Sequence, residues 1–286
     1  MNVTFFAGVT KEREHEIARM LGQGVQSHGD TFELVDPAEY PAPNKETDVA
    51  VMVGVKGYSR KLFDDHLAVG KQVIYIDKGY LGHRGRYYRM SVNSFQPLSY
   101  FQSIPRLSDR LKTHNIKLQP MRKNGSHIMI AGGSVKYANW HGLNAMGGED
   151  PMTVWARKRI LRLRKHSRRP LVYRPKPSWK DAVLVSGARF SRPPRTITQE
   201  LIDCWALITF GSNAAVDALI AGVPVVVLGD GVALPLAQTS EEKIEDLYIP
   251  TDNERQQWLQ DLAYCQFNLT EMASGEAWGI LKEQIV

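Results

Sequence analysis

Apolar and polar positions along the first half of the chain alternate between the rhythm of strands and the rhythm of helices. Val3–Ala7 reads as a short buried strand, followed by a Gly8-Val9-Thr10 loop. Thr10 is placed to cap a helix running to Ser27, with Ile17, Leu21 and Val25 on one face and Glu12 and Glu14 in its first turn. Phe32–Val35 predicts a second strand stopped by Asp36-Pro37, and Asp48–Val55 is a continuous apolar run of the kind buried in parallel sheets. Ser59–Val69 predicts a helix, and Gln72–Ile76 a strand that ends at Asp77. This β-α-β-β-α-β order predicts a doubly wound sheet.

Between residues 78 and 122 the regular pattern dissolves. Tyr80, His83, Arg84, Arg86, Tyr87, Tyr88 and Arg89 gather there on what reads as a glycine-punctuated loop, and long irregular segments inside compact domains are usually functional. A second α/β unit begins at His127–Ala131. Helix Thr153–His166, strand Pro170–Tyr173, strand Trp205–Thr209, a further helix and strand Val223–Leu228 continue it. The expected class is therefore α/β with two Rossmann-like domains, residues 1–122 and 123–286, and a last helix that can cross back to the first.

A length of 286 residues suits two domains, and 43% hydrophobic with 23% charged residues suits a folded globular chain. The longest apolar run, Val223–Leu228, is too short to span a bilayer. Met1 leads directly into a strand, so no signal peptide is expected and the cytoplasm is the expected compartment. Cys204 and Cys265 show no metal-ligand spacing and read as buried thiols.

The net charge of +6 is unevenly spread, with no Asp or Glu from Pro151 to Lys180. Arg157, Lys158, Arg159, Arg162, Arg164, Lys165, Arg168 and Arg169 crowd that stretch. On a helix, Met152, Ala156, Ile160 and Leu163 form a core stripe, and the cations cover most of the rest. Two readings stand. One is a solvated helix face. The other is a surface for DNA, RNA or an anionic glycan, which would relieve the repulsion between like charges.

The segment Ala206–Gly229 carries the most specific signal. A buried strand runs into Gly211, Ser212 and Asn213, which open a helix; that helix stops at Gly222, and Pro224 begins the next strand. A helix N-terminus offers N–H groups and a positive dipole end to phosphate. Gly211 would let a ligand approach the backbone, Ser212 and Asn213 can cap the helix or bond a donor, and Asp217 can reach a ribose hydroxyl. An ordinary capped β-α-β unit is the competing reading.

The run Thr209-Phe-Gly-Ser-Asn-Ala-Ala-Val-Asp-Ala-Leu-Ile-Ala-Gly-Val-Pro-Val-Val226 resembles the donor-binding segment of GT-B glycosyltransferases. It is most similar to those of capsule-polysaccharide synthesis and to related phage-encoded, DNA-modifying transferases. Tyr173-Arg-Pro-Lys-Pro177, Ala131-Gly-Gly-Ser-Val-Lys136 and the tail Leu262–Trp278 resemble further elements of that group, so the likeness covers roughly residues 127–280. It implies two Rossmann-like domains facing across a cleft, with a nucleotide-sugar donor (UDP-linked or similar) held by the C-terminal one. Arg174 and Lys176 would then neutralise the donor phosphates, and Gly132, Gly133, Ser134 and Lys136 would cradle them. No Asp-x-Asp pair is present, so no obligatory metal cofactor is expected.

An acceptor hydroxyl needs a base. Asp77 at the end of a buried strand is the first candidate, with Asp36, His15 and His83 behind it; its competing role is a helix cap or a partner for Arg84 or Arg86. A single base implies inversion. Tyr80, His83, Arg84, Arg86 and Arg89 are the acceptor-binding candidates, and on a basic chain they suggest DNA bearing hydroxymethylated pyrimidine, in a phage-infected cytoplasm. The alternatives are a cell-surface or capsule polysaccharide glycosyltransferase, whose basic helix meets a membrane or anionic glycan, and a non-catalytic nucleotide-binding protein.

Overall fold

The computed structural model describes residues 1–40, 42–43, 46–82, 85–99, 101 and 109–285. The first strands and helices are β1 (Asn2–Phe6), α1 (Glu12–Ser27), β2 (Thr31–Val35), β3 (Val49–Val53), α2 (Ser59–Ala68), β4 (Gln72–Lys78), β5 (Tyr87–Val92) and α3 (Asp109–Lys112). There follow β6 (His127–Ala131), α4 (Val135–Trp140), α5 (Pro151–Leu163), β7 (Leu171–Arg174), β8 (Arg189–Phe190), α6 (Ile197–Leu201), β9 (Cys204–Thr209), α7 (Ala214–Ile220) and β10 (Val225–Val227). The chain closes with α8 (Asp252–Ala263), β11 (Gln266–Asn268), α9 (Leu269–Ala273) and α10 (Glu276–Lys282). Two compact units result: Met1–Asn115 together with Gln260–Val286, and Ile116–Leu259. The chain thus leaves the first unit a few residues ahead of the expected boundary at 122 and returns to it inside α8.

The first unit is built on a six-stranded sheet of order β11-β5-β4-β3-β1-β2. β1 to β4 run parallel, while β5 lies antiparallel between β4 and β11. Ile17, Leu21 and Val25 of α1 bury against Val3, Phe5, Val49 and Val51, as their spacing predicts, and Trp278 and Leu281 of α10 complete that core. Asp30 ties the C-terminal helix to the start of the chain, accepting from the Met1 amino group at 2.6 Å, Trp278 Nε1 at 2.7 Å and Lys282 Nζ at 2.7 Å. Burial alone would raise its pKa, but the bonds from Lys282, the amino terminus and Trp278 outweigh that and hold the carboxyl well below the usual range.

Two local expectations are corrected here. Helix α1 starts at Glu12 with Lys11 as N-cap and no capping side chain, so Thr10 does not cap it; Glu14 is drawn instead to Lys56. Residues 87–92, read as part of an irregular loop, form the strand β5. Arg89 and Ser91 disguised it as surface because only their tertiary partners make them interior residues.

The second unit is a five-stranded parallel sheet of order β10-β9-β6-β7-β8. Helix α7 ends at Gly222, which takes φ +74° and sits against the Pro120 carbonyl, where a Cβ would collide. The fully buried Arg255 holds that helix end, donating to the Leu219 carbonyl at 2.7 Å and the Gln119 carbonyl at 2.9 Å. Asp150 caps α5 through the Met152 and Thr153 N–H groups at 2.9 and 3.1 Å, and Met152, Ala156, Ile160 and Leu163 bury as expected.

The cationic stretch around α5 is less bare than its sequence suggests. Acids missing from the stretch itself arrive from elsewhere in the unit: Arg159 pairs with Glu241 at 2.7 Å, Arg162 with Glu242 at 2.6 Å, Arg169 with Glu245 at 3.0 Å, and Arg157 with Glu149. The inference from uncompensated charge to a polyanion therefore loses those arginines. Cys204 and Cys265 are buried free thiols, and burial pushes the Cys204 thiol up to about 12. No helix among the described residues is long and apolar enough to cross a membrane.

Candidate functional site

The strand order of the second unit reverses at β6: the chain steps to β7 and β8 on one side and to β9 and β10 on the other. Open parallel sheets bind ligands outside the carboxyl ends of the strands at such a switch point. Ala131 and Thr209, the last residues of β6 and β9, stand in register there, and Thr209 Oγ1 donates to the Ala131 carbonyl at 3.0 Å. The loops 132–134 and 210–213 thus leave the sheet side by side. Gly132 N–H donates to the Arg174 carbonyl at 2.8 Å, which brings the 174–177 loop alongside as well. Three expected donor segments do meet on one rim.

Their individual roles differ from those expected. Thr209 Oγ1 accepts from the N–H of Ser212 at 3.0 Å and of Gly211 at 3.3 Å, and Ser212 Oγ accepts from Ala214 N–H at 3.3 Å. Much of the donor capacity at the start of α7 is therefore satisfied internally. Gly211 is needed for the protein rather than for a ligand, since a Cβ there would strike the Asp230 carbonyl and crowd Tyr137 Cε1 at 3.1 Å. Asn213 stands at the N-cap position without a capping bond, and Asp217 lies half-buried one turn further on.

Arg174 also has another task. It is 7% exposed and donates to Ser191 Oγ at 2.8 Å and the Arg195 carbonyl at 2.9 Å, and burial lowers its pKa from the usual arginine value. A guanidinium so engaged locks the ends of β7 and β8 together, which corrects its assignment as a free phosphate clamp. Lys176 stays exposed, as does Lys136. Ser134 is the N-cap of α4, and its side chain makes no capping bond. Gly133 has open space, with Met152 Sδ the nearest atom at 4.0 Å.

Several neighbours of this rim carried no sequence signal. The rings of Tyr137, His141 and Phe210 pack together, with centroids 4.4 Å apart for Tyr137–His141 and 5.8 Å for His141–Phe210. Tyr137 OH donates to the Asp230 carbonyl, and His141 Nε2 stands 3.8 Å from the Asp230 carboxylate. The Gly229-Asp230-Gly231 turn after a buried strand was the one visible hint. A cavity of about 450 Å³ opens at the end of β10, lined by Leu228, Gly229, Thr239, Ser240, Arg159 and Arg162. A roomier cavity of about 660 Å³, lined by His28, Gly275, Gly279 and Lys282, belongs to the first unit and holds none of the expected groups.

In the first unit the acceptor candidates scatter. Tyr80 and Arg89 are buried: Arg89 Nη1 donates to Tyr80 OH and to Gln96 Oε1, each at 2.8 Å, and Tyr80 OH donates to Gln96 at 2.7 Å. Closed into the interior, neither can meet an acceptor, and this corrects both assignments. Arg86 is exposed; His83 and Arg84 lie outside the described residues. Asp77 accepts from Tyr75 OH at 2.9 Å and faces Arg89 Nη2 at 3.5 Å, so it does partner an arginine, though a different one from those expected. Asp36 caps a short 3-10 turn through the Ala38 N–H at 2.9 Å. This unit has its own switch point at β1, and there His15 Nε2 lies 3.1 Å from the Gly8 carbonyl. Among the described residues no group of three His, Cys, Asp or Glu side chains could hold a metal ion.

No protein-family model and no curated protein matches the chain. Among solved structures it is similar to a KpsC β-Kdo 2,4 transferase of Thermosulfurimonas dismutans, with TM-score 0.53 and 11% identity over 94% of this chain and 92% of that one. A KpsC β-Kdo 2,7 transferase of the same organism gives TM-score 0.53 and 12% identity over 99% of both chains. The fold is that of the GT-B glycosyltransferases, with two Rossmann-like domains.

Proposed function

We propose that the chain is a glycosyltransferase that takes a sugar from a nucleotide-sugar donor held by the second unit and passes it, with inversion, to a saccharide hydroxyl. The observation that carries this is the convergence of loops 132–134, 174–177 and 210–213 at the carboxyl ends of β6, β7 and β9. The uncapped first turn of α4, with Ser134, faces the donor phosphate; Lys136 and Lys176 add mobile positive charge, and Asn213 and Asp217 bond the sugar or ribose hydroxyls. The cavity at the end of β10 has the size of a nucleoside pocket. As the acceptor oxygen bonds to the anomeric carbon, the nucleotide leaves with the electrons of the broken bond, and these cations and N–H groups stabilise its charge.

The acceptor hydroxyl must give up its proton to a base. Asp77 sits between Tyr75 and Arg89 and Asp36 caps a turn, so His15 at the first unit's switch point is the base we carry forward. Replacing His15 by Ala should lower kcat by about 10²–10⁴-fold with KM little changed. An equal effect from Asp77→Asn with none from His15→Ala would return the role to Asp77.

Taking the KpsC likeness as guide, we choose a cell-surface or capsule glycan as acceptor over hydroxymethylated DNA. The arginine pairing on α5 and the burial of Tyr80 and Arg89 remove most of what favoured DNA. A thermal-shift screen over nucleotide sugars tests the donor half. A true donor at about 100 times its Kd should add roughly 2.7 kcal/mol of apparent stability, which the Lys176→Ala variant should need more ligand to reach. If no nucleotide or nucleotide sugar moves the melting temperature, the enzyme reading fails.

A further inference from the structure

Helix α5 turns an exposed leucine outward in a stretch rich in cations. Leu161 is 64% exposed; Arg157 and Lys158 stand four and three residues before it on the helix surface, and Arg164 and Lys165 follow it in the turn that ends the helix. Arg157 meets Glu149, but Arg164 donates only to carbonyls, those of Arg169 and Gly187 at 2.9 Å each. Lys158, Lys165, Arg168 and Lys180 are exposed and pair with no acid among the described residues.

The bond to Gly187 fastens a second apolar tip next to the first. Ile160 Cγ2 packs at 3.0 Å from where a Cβ on Gly187 would stand, and Val185 is buried in the unit's core. The two residues before Val185 point the other way: Val183 is 46% exposed and Leu184 71%. From 151 to 199 the chain contains one acid, Asp181. Meanwhile Arg159 and Arg162 are already turned to Glu241 and Glu242, so the charge of this stretch that meets no acid among the described residues sits on Lys158, Arg164, Lys165, Arg168 and Lys180.

We propose that the exposed Leu161, Val183 and Leu184, together with the exposed cations Lys158, Lys165, Arg168 and Lys180 of the same stretch, dock on an anionic lipid surface. A nucleic acid would satisfy the cations and leave both leucines in water. A lipid interface takes both, the cations among headgroups and the leucines at the acyl boundary. The proposal does not depend on the donor site or on the reaction assigned to it.

The test is sedimentation of the full-length protein with vesicles of equal parts phosphatidylglycerol and phosphatidylcholine, against vesicles of phosphatidylcholine alone. The expected result is binding to the first and not the second, weakened by salt. The Lys158→Glu/Lys165→Glu variant should lower partition by about tenfold or more. The Leu161→Ser/Leu184→Ser variant should also release the protein, with its circular dichroism and Tm unchanged because both side chains are already in water. Absence of binding to the anionic vesicles overturns the proposal, as does binding that the leucine variant leaves intact. Single-stranded DNA that holds the parent and the leucine variant equally, and strips both from vesicles, would make the face a polyanion surface instead.

Discussion

Arg174 shows how far a side chain's chemistry depends on what surrounds it. In the sequence it stands in a rigid Arg-Pro-Lys-Pro run, as a phosphate clamp would; in the fold its guanidinium bridges Ser191 Oγ and the Arg195 carbonyl. Replacing it with Ala removes two buried bonds and leaves their acceptors short, so Arg174→Ala should cost about 1–3 kcal/mol in urea unfolding. A variant as stable as the parent but deaf to donor would put Arg174 back among the ligand groups. Gly211 underwent the same change of role, from ligand approach to packing under Asp230. The exposed pair Lys136 and Lys176 and the uncapped Ser134 remain the proposed donor contacts at residue scale.

At the scale of elements, β6 and β9 with their loops form the proposed donor rim, and Thr209 is the joint between them. Its hydroxyl donates to Ala131 and accepts from Gly211 and Ser212, so one oxygen positions both loops. Thr209→Val keeps the volume, removes the oxygen and strands two N–H groups, a loss of about 1–3 kcal/mol. Hydrogen exchange should speed at Gly211 and Ser212 while the β7 amides stay protected. Unchanged exchange would mean the loop is held by its packing under Asp230 instead. These elements were legible from apolar runs and glycine punctuation, because β3, β6, β9 and β10 are buried on both faces. β5 was not legible, since its arginine and serine become interior residues only where the strand is closed between β4 and the distant β11, with Tyr80 and Gln96 taking up the guanidinium.

For the whole molecule, buried titratable groups set the response to acid. His66 is fully buried, hydrogen-bonded to the Leu62 carbonyl at 2.8 Å, and burial lowers its pKa. His114 is shifted the same way, by burial first and by Arg110 second. A histidine with a lowered folded pKa binds its proton more readily when unfolded. Its contribution is therefore complete above the unfolded value of about 6.5 and is lost as pH falls below it. Glu200 acts lower on the scale: burial opposes its charge, but Arg189, Ser191 and Arg195 hold it at about 2, so its contribution is lost only as pH falls below the unfolded carboxylate range. Stability against pH should thus fall in two steps, and His66→Phe should flatten the upper one. A single acid transition unaffected by that variant would contradict the assignment.

The sequence by itself determined the class of fold, the positions of most strands and helices, and the three loops that meet on the second unit's rim. Those features are written in local periodicity and in glycines that close a helix or open a turn, which neighbours in sequence suffice to specify. Only the tertiary structure decided which cations are free. Arg159, Arg162 and Arg169 are neutralised by Glu241, Glu242 and Glu245, while Lys158 and Lys165 are left around Leu161. Charge balance depends on distances through space, and no window along the chain contains both partners.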